Sequence, residues 1–275
     1  MKIVLAKLIG FFINIIAHIS PTYAVQIAIK LFSTPLKGKH LPEGKDFLNT
    51  AFQEEVIYKD FAIMTYRWLG KKDTILLVHG WESNAFRWKD LIEKLKQKSF
   101  NIVAIDAPAH GKSGGKYFNT LDYSECIHLV AKKFKVKTII GHSVGGMATI
   151  FFQHKYQFPH LERIVLLGAP SNFKDIFERY VNMMGYHNIL VKHIDEFILK
   201  KHGHCSAYFE ASKFSKDITS KGLIIHDDKD NIIPYKDALD YQAGYTNAKL
   251  ITTNNLDHSL KSENVDNHIL EFISN

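Results

Sequence analysis

The run Thr138-Ile139-Ile140-Gly141-His142-Ser143-Val144-Gly145-Gly146-Met147 joins an apolar strand-like segment to a helix-like one through Gly-x-Ser-x-Gly. A serine on so tight a strand-to-helix turn needs glycine two positions to either side, because a β-carbon there would clash. A neutral serine hydroxyl is a poor nucleophile, so such a residue works only with a base in hydrogen-bond reach and an acid that orients the base. The chemistry is then acyl transfer through an acyl-enzyme. A carboxylate at the same place would have suggested an alkyl-ester intermediate instead. The chain offers 15 histidines from which to draw the base.

Elements that could position these groups follow from periodicity. Val56 to Tyr58 and Ala62 to Trp68 suggest an opening strand pair bent near Lys59-Asp60. Thr74 to Val78, Ile102 to Ile105, Thr138 to Ile140, Ile164 to Leu167, Leu223 to Ile225 and Leu250 to Thr252 are short apolar runs without polar alternation. Such runs fit strands covered on both faces. Helical patterns at Phe86 to Lys98, Leu121 to Phe134, Gly145 to Tyr156, Tyr235 to Ala243 and Glu263 to Ile273 alternate with them. The expectation is an α/β fold with a mostly parallel, doubly wound sheet of about eight strands. From Ser171 to Ser220 the rhythm fails, and Ile176, Tyr180, Met183, Met184, Ile189, Ile194, Phe197 and Ile198 recur at helical spacing. A helical cap inserted at about 171–220 accounts for this interval better than a structureless loop.

At the Ser143 turn the chain resembles the α/β-hydrolase superfamily, from about Thr74 to the C-terminus. His79-Gly80-Trp81 is similar to that family's His-Gly turn, and Asp106-Ala107-Pro108-Ala109-His110-Gly111-Lys112-Ser113 to its Asp-x-Pro-Gly-His-Gly-x-Ser loop, with Ala109 where glycine is usual. The segment from His226 to Pro234 resembles the family's acid loop, and Leu256-Asp257-His258-Ser259 lies where the family keeps its base. The resemblance implies Ser143 as nucleophile, His258 as base, Asp230 as acid, and the backbone N–H groups of Trp81 and Val144 as an oxyanion hole. Asp227 stands where the acid motif has glycine, so Asp227 and Asp228 are rival acids, although spacing to Pro234 favours Asp230. His79, His110 and His142 read as loop-orienting, His226 and Asp106 as structural, and Asp257 as solvated. A serine hydrolase of carboxylic esters is the implied activity, without cofactor or metal. Thioesterase, carbon–carbon bond hydrolase and acyltransferase chemistry share the same groups. The family's iminopeptidases carry a longer Gly-rich oxyanion motif than His79-Gly80-Trp81-Glu82-Ser83, which demotes peptidase activity. Ile176, Phe177, Tyr180, Met183 and Met184 of the cap are expected to roof a pocket for a small-molecule ester with a short to medium acyl group.

The 275 residues carry 35 Lys+Arg against 28 Asp+Glu, a net charge of +7, and 46% are hydrophobic, which suits a globular chain and excludes disorder or a polytopic membrane protein. Only Arg67, Arg87, Arg163 and Arg179 are arginines; the remaining cations are lysines spread along the chain. Arginine's planar fork suits phosphates and base edges better, so nucleic acid is not the expected partner. Cys126 and Cys205, the two cysteines, are too few for a disulfide framework, which suits a reducing, cytoplasmic setting. The run His202-Gly203-His204-Cys205 lacks a second ligand pair at zinc spacing and reads as a polar loop.

Residues 1–44 lie outside the resemblance and are read as a helical arm and linker before a hydrolase domain at 45–275. Ile3 to Ile19 is apolar except for Lys7, Gly10, Asn14 and His18, one narrow polar stripe on a helix. After Pro21, the spacing of Thr22, Gln26, Lys30 and Ser33 predicts a second helix, and Leu36 to Gly44 a linker. A retained arm, docked on the body or on a membrane face, competes with a signal peptide cleaved near Thr22-Tyr23-Ala24 and with a membrane anchor. A catalytically inactive protein that binds a membrane surface or a partner through this arm is the non-enzymatic alternative.

Overall fold

The computed structural model describes residues 2–39 and 42–275. In chain order the elements are α1 (Lys2–Ile19), α2 (Pro21–Ser33), α3 (Pro42–Leu48), β1 (Phe52–Tyr58), β2 (Phe61–Trp68), β3 (Thr74–Val78), α4 (Lys89–Gln97), β4 (Asn101–Ile105), α5 (Thr120–Phe134), β5 (Val136–His142) and α6 (Val144–Tyr156). There follow β6 (Arg163–Leu167), α7 (Phe173–Met184), α8 (Asn188–His202), α9 (Ala211–Phe214), β7 (Lys221–Asp227), α10 (Lys236–Gly244), β8 (Ala248–Thr253) and α11 (Glu263–Ser274). The chain divides into two compact units, Met1–Thr34 with Asn172–Glu210, and Pro35–Ser171 with Ala211–Asn275.

The larger unit is built on one eight-stranded sheet of order β1-β2-β4-β3-β5-β6-β7-β8. β2 runs antiparallel to both β1 and β4, and the other pairings are parallel. Every residue of β3 and β4 is buried, as expected of short runs with no polar face. Ile75, Leu77, Ile102, Ala104, Ile140 and Leu223 belong to the apolar core on the sheet. The leucines and isoleucines among them each contribute roughly 1.5–3 kcal/mol by leaving water. β1 is the exception: Phe52 to Glu55 are exposed on an edge strand, which extends β1 four residues ahead of the apolar run at Val56. Helices start where side chains accept the orphan amides of the first turn. Asn119 Oδ1 takes Asp122 N–H at 2.7 Å before α5, and Ser262 Oγ takes Val265 N–H at 3.2 Å before α11.

The expected linker at Leu36 to Gly44 is only partly one, because α3 already begins at Pro42, whose fixed φ suits a first helical residue. The stretch before it is tied down by hydrogen bonds from Leu36 N–H to Glu82 Oε1 (2.9 Å) and from Gly111 N–H to Gly38 O (2.8 Å).

The smaller unit packs α1 and α2 with α7 and α8. Its ends are joined where Phe173 N–H donates to Phe209 O at 2.9 Å, beside an antiparallel bridge between Asn172 and Glu210. Asn172 caps α7 through Asp175 N–H at 2.7 Å, and Gly185 (φ +68°) and Gly203 (φ +79°) end α7 and α8 in the left-handed conformation. Two members of the apolar stripe expected to roof an acyl pocket pack on α2: the Phe32 ring lies 6.1 Å from Phe177 and 4.8 Å from Tyr180. Met184 is buried, its carbonyl against Gly10 of α1, while Met183 is 44% exposed. Helical spacing marked these residues as one face and left its partner undetermined.

Candidate active site

Every candidate group in the larger unit sits just past the carboxyl end of a strand. His79-Gly80-Trp81 follows β3, Ser143 follows β5, Gly168 follows β6, Asp230 follows β7 and His258 follows β8. β3 and β5 are also neighbours at which the strand order reverses, the position where open α/β sheets leave a crevice.

Ser143 is the single residue between β5 and α6, with φ +54° and ψ −131°. That conformation costs a non-glycine residue about 1–3 kcal/mol and persists because its surroundings leave no alternative. A β-carbon on Gly141 would lie 2.7 Å from Gly146 Cα, and one on Gly145 would lie 2.5 Å from His79 O. The two glycines of Gly-x-Ser-x-Gly are therefore required by backbone packed against backbone. Ser143 N–H donates to Leu167 O at 2.8 Å, which fixes the turn to the end of β6.

Asp230 and His258 are brought together. His258 Nδ1 lies 2.7 Å from Asp230 Oδ2, while Asp230 Oδ1 accepts the N–H groups of Ile232 (2.8 Å) and Ile233 (2.9 Å). Burial opposes ionisation of Asp230, but the bonds from His226, His258 and these two amides outweigh it and hold the carboxyl well below its usual range. An ionised Asp230 requires the proton of a neutral His258 to sit on Nδ1, leaving Nε2 as a lone pair. The rival acids are engaged elsewhere. Asp227 accepts from Thr253 Oγ1 and Leu256 N–H, both at 2.9 Å, and Asp228 accepts from Asn254 Nδ2.

His258 adjoins the Ser143 turn through the preceding residue. The His142 and His258 rings are 4.8 Å apart, and His142 Nε2 lies 2.8 Å from His258 O. Gly168 fits beneath the pair, since a β-carbon there would be 3.3 Å from His258 Nδ1 and 3.5 Å from Asp230 Oδ2. Ser143 Oγ itself makes no hydrogen bond among the described residues.

Arg87 is the contributor that sequence reasoning missed. Its Nη1 lies 2.6 Å from His142 Nδ1 and its Nη2 donates to Ser259 O at 3.1 Å. Burial, then the Arg87 charge, keep His142 neutral by pushing its pKa well below the ordinary value. Its tautomer is thereby set: Nδ1 accepts from Arg87 and Nε2–H donates to His258 O. Arg87 and His142 thus grip the backbone at two successive residues, 258 and 259. A cavity of about 370 Å³ is lined by Arg87, Leu167, Leu260 and Lys261 among others, but not by Ser143, Asp230 or His258.

The loops around Trp81 are held by the motif histidines. His79, its pKa pushed down to about 3 by burial, donates from Nδ1 to Gly80 O (2.7 Å) and accepts Ala107 N–H on Nε2 (2.9 Å). His110, also lowered by burial, donates to Pro108 O (2.9 Å) and accepts Glu82 N–H on Nε2 (3.0 Å). Asp106 accepts from Ala85 N–H, Lys112 N–H and Tyr66 OH. Ala109 takes the left-handed conformation (φ +65°) that the usual glycine would adopt without strain, at a cost of about 1–2 kcal/mol. The N–H groups of Trp81 and Val144 have no hydrogen-bond partner among the described residues. Gly80 lets the two loops meet, because a β-carbon there would be 2.8 Å from Ser143 Cβ.

Solved structures with this architecture include a putative lipase from Acinetobacter baumannii, with a TM-score of 0.65 at 18% identity over 84% of this chain and 95% of that one. The fold is that of the α/β hydrolases. Within it, residues 70–200 match the family model described as serine aminopeptidase, S33. An uncharacterized protein of Mycobacterium tuberculosis is 34% identical over 119 residues, covering 40% of this chain and 33% of the relative. A probable serine hydrolase of Drosophila melanogaster is 31% identical over 125 residues, covering 42% of this chain and 37% of that protein. The chain therefore aligns with well under two thirds of these relatives' length.

Proposed function

We propose that this α/β-hydrolase-fold protein is a serine hydrolase of carboxylic esters, with Ser143 as nucleophile, His258 as base and Asp230 as acid. The observation that carries the proposal is the 2.7 Å contact between Asp230 and His258 beside a strained serine turn. The likeness to a protein named a probable serine hydrolase supports the same chemistry.

As Ser143 Oγ attacks the ester carbonyl, His258 Nε2 takes its proton and Asp230 stabilises the imidazolium that forms. The carbonyl oxygen becomes an oxyanion, which the unpaired N–H groups of Trp81 and Val144 receive; each such donor is typically worth about 2.7–4 kcal/mol. The imidazolium then protonates the departing alcohol oxygen as the carbon–oxygen bond breaks, leaving an acyl-Ser143. Water, deprotonated by His258, attacks this ester, and collapse of the second tetrahedral intermediate returns Ser143 and releases the acid.

A p-nitrophenyl ester series from acetate upward tests this reading, with aminoacyl p-nitroanilides beside it because of the aminopeptidase description of the family model. Turnover of esters and not of anilides is the expected outcome, and acyl-length preference is read from the same series. Folded protein that turns over no ester of any length would sink the esterase assignment. Selective cleavage of the anilides would move it to peptidase chemistry.

A further inference from the structure

The smaller unit carries a helix whose polarity is inverted. α1 buries Gly10, Ile13, Asn14 and Ala17 against the rest of its unit, while Val4, Leu5, Leu8, Phe11, Phe12 and Ile15 face outward. Leu8 is 53% exposed and Phe12 62%. The inward face is specific. Gly10 lies so close to Met184 O that no β-carbon could be accommodated, and Asn14 is spent on the turn between α7 and α8. Its Nδ2 donates to Gly185 O and its Oδ1 accepts His187 N–H, both at 2.9 Å. Two members of the stripe that periodicity marked as polar, Gly10 and Asn14, are therefore the protein-facing side. Small residues inside and large apolar ones outside are the arrangement of a helix solvated by lipid.

We propose that this outward face of α1 docks on the surface of an anionic lipid bilayer. Three features choose that occupant. At about 100° per residue, the six outward residues span one arc with the exposed Lys7 and His18 along its edge, the pattern of a helix lying in the interface plane. Residues 1–34 hold three lysines and no aspartate or glutamate, so the whole segment attracts anionic headgroups and repels nothing in them. A second copy would meet this face with the same face, bringing no carboxylate to pair with Lys7. Among the described residues no helix is long and apolar enough to cross a membrane, which agrees with a helix bound along the surface.

The full chain floated with vesicles of equal parts phosphatidylcholine and phosphatidylglycerol is the test, against a Leu8→Gln/Phe12→Gln variant whose changed side chains face outward. The protein should rise with the vesicles, and the double substitution should lower the bound fraction by about tenfold or more. The variant should keep the circular dichroism of the parent and its turnover of a water-soluble ester. A Phe11→Trp variant supplies an independent reading, a blue shift of emission on adding the same vesicles beyond any seen with the parent. Failure to float, flotation that L8Q/F12Q leaves unchanged, or a stable dimer abolished by L8Q/F12Q with no vesicle binding would each overturn the proposal. None of these outcomes depends on whether Ser143 is the nucleophile.

Discussion

Replacing Ser143 with alanine removes ester turnover, by a factor on the order of 10⁶ in kcat, while the protein remains folded. The loss is large because Ser143 Oγ is the atom proposed to carry the acyl group, and removing it also idles the proposed base and acid. Folding should survive because alanine keeps the β-carbon that already tolerates φ +54°, and Ser143 Oγ makes no hydrogen bond among the described residues that the fold would miss. Melting temperature is the control. His142→Ala separates the two histidines that adjoin the turn. It removes the bond to His258 O and the ring contact but leaves all three proposed groups, so its cost should stay within about 10²-fold, the scale of a misplacement by an ångström. Equal losses in the two variants would mean that His142 takes part in the chemistry rather than in holding His258.

Asp230→Asn lowers kcat by about 10⁴-fold at neutral pH. The amide oxygen of asparagine can still accept the N–H groups of Ile232 and Ile233, but its NH₂ would then face His258 Nδ1 and donate to it. That reverses the tautomer, placing the proton on Nε2, where the lone pair is needed. Asp227→Asn behaves oppositely. Its carboxylate braces Thr253 and Leu256 within the β7–β8 region, so the change costs about 1–3 kcal/mol of stability and less than tenfold in kcat. Kinetics and thermal melting of the two variants side by side check the assignment. Activity retained in Asp230→Asn and lost in Asp227→Asn would transfer the role of acid to Asp227.

How far the sequence could be read depended on whether a residue's neighbours lie close along the chain. β3 to β7 were legible because each holds a short apolar run buried on both faces, whereas β8, partly exposed at the edge of the sheet, showed only through Leu250 to Thr252. The sharp turn at Ser143 was legible because its constraints, Gly141 and Gly145, lie within two residues of it. β1 was read short because Gln53, Glu54 and Glu55 occupy an exposed edge. The arm was read with the right period and an open direction. A stripe of Lys7, Gly10, Asn14 and His18 names residues that share a face, but whether that face meets water or protein depends on Met184, Gly185 and His187, more than 170 residues away. Arg87 had no signature beyond being one of four arginines, because its partners His142 and Ser259 are 55 and 172 residues distant. The preference for Asp230 over Asp227 and Asp228 likewise rested on spacing alone, because the Asp230–His258 contact joins residues 28 apart in the chain.

Activation of Ser143, on which the proposed chemistry depends, is tested by covalent labelling without knowledge of the natural substrate. A fluorophosphonate probe incubated with the full chain should give one adduct, found by mass spectrometry of peptides on Ser143. Labelling should be slowed in Asp230→Asn and absent in Ser143→Ala. Natively folded protein that takes up no probe, or that carries it on a different serine, would contradict Ser143 as the nucleophile.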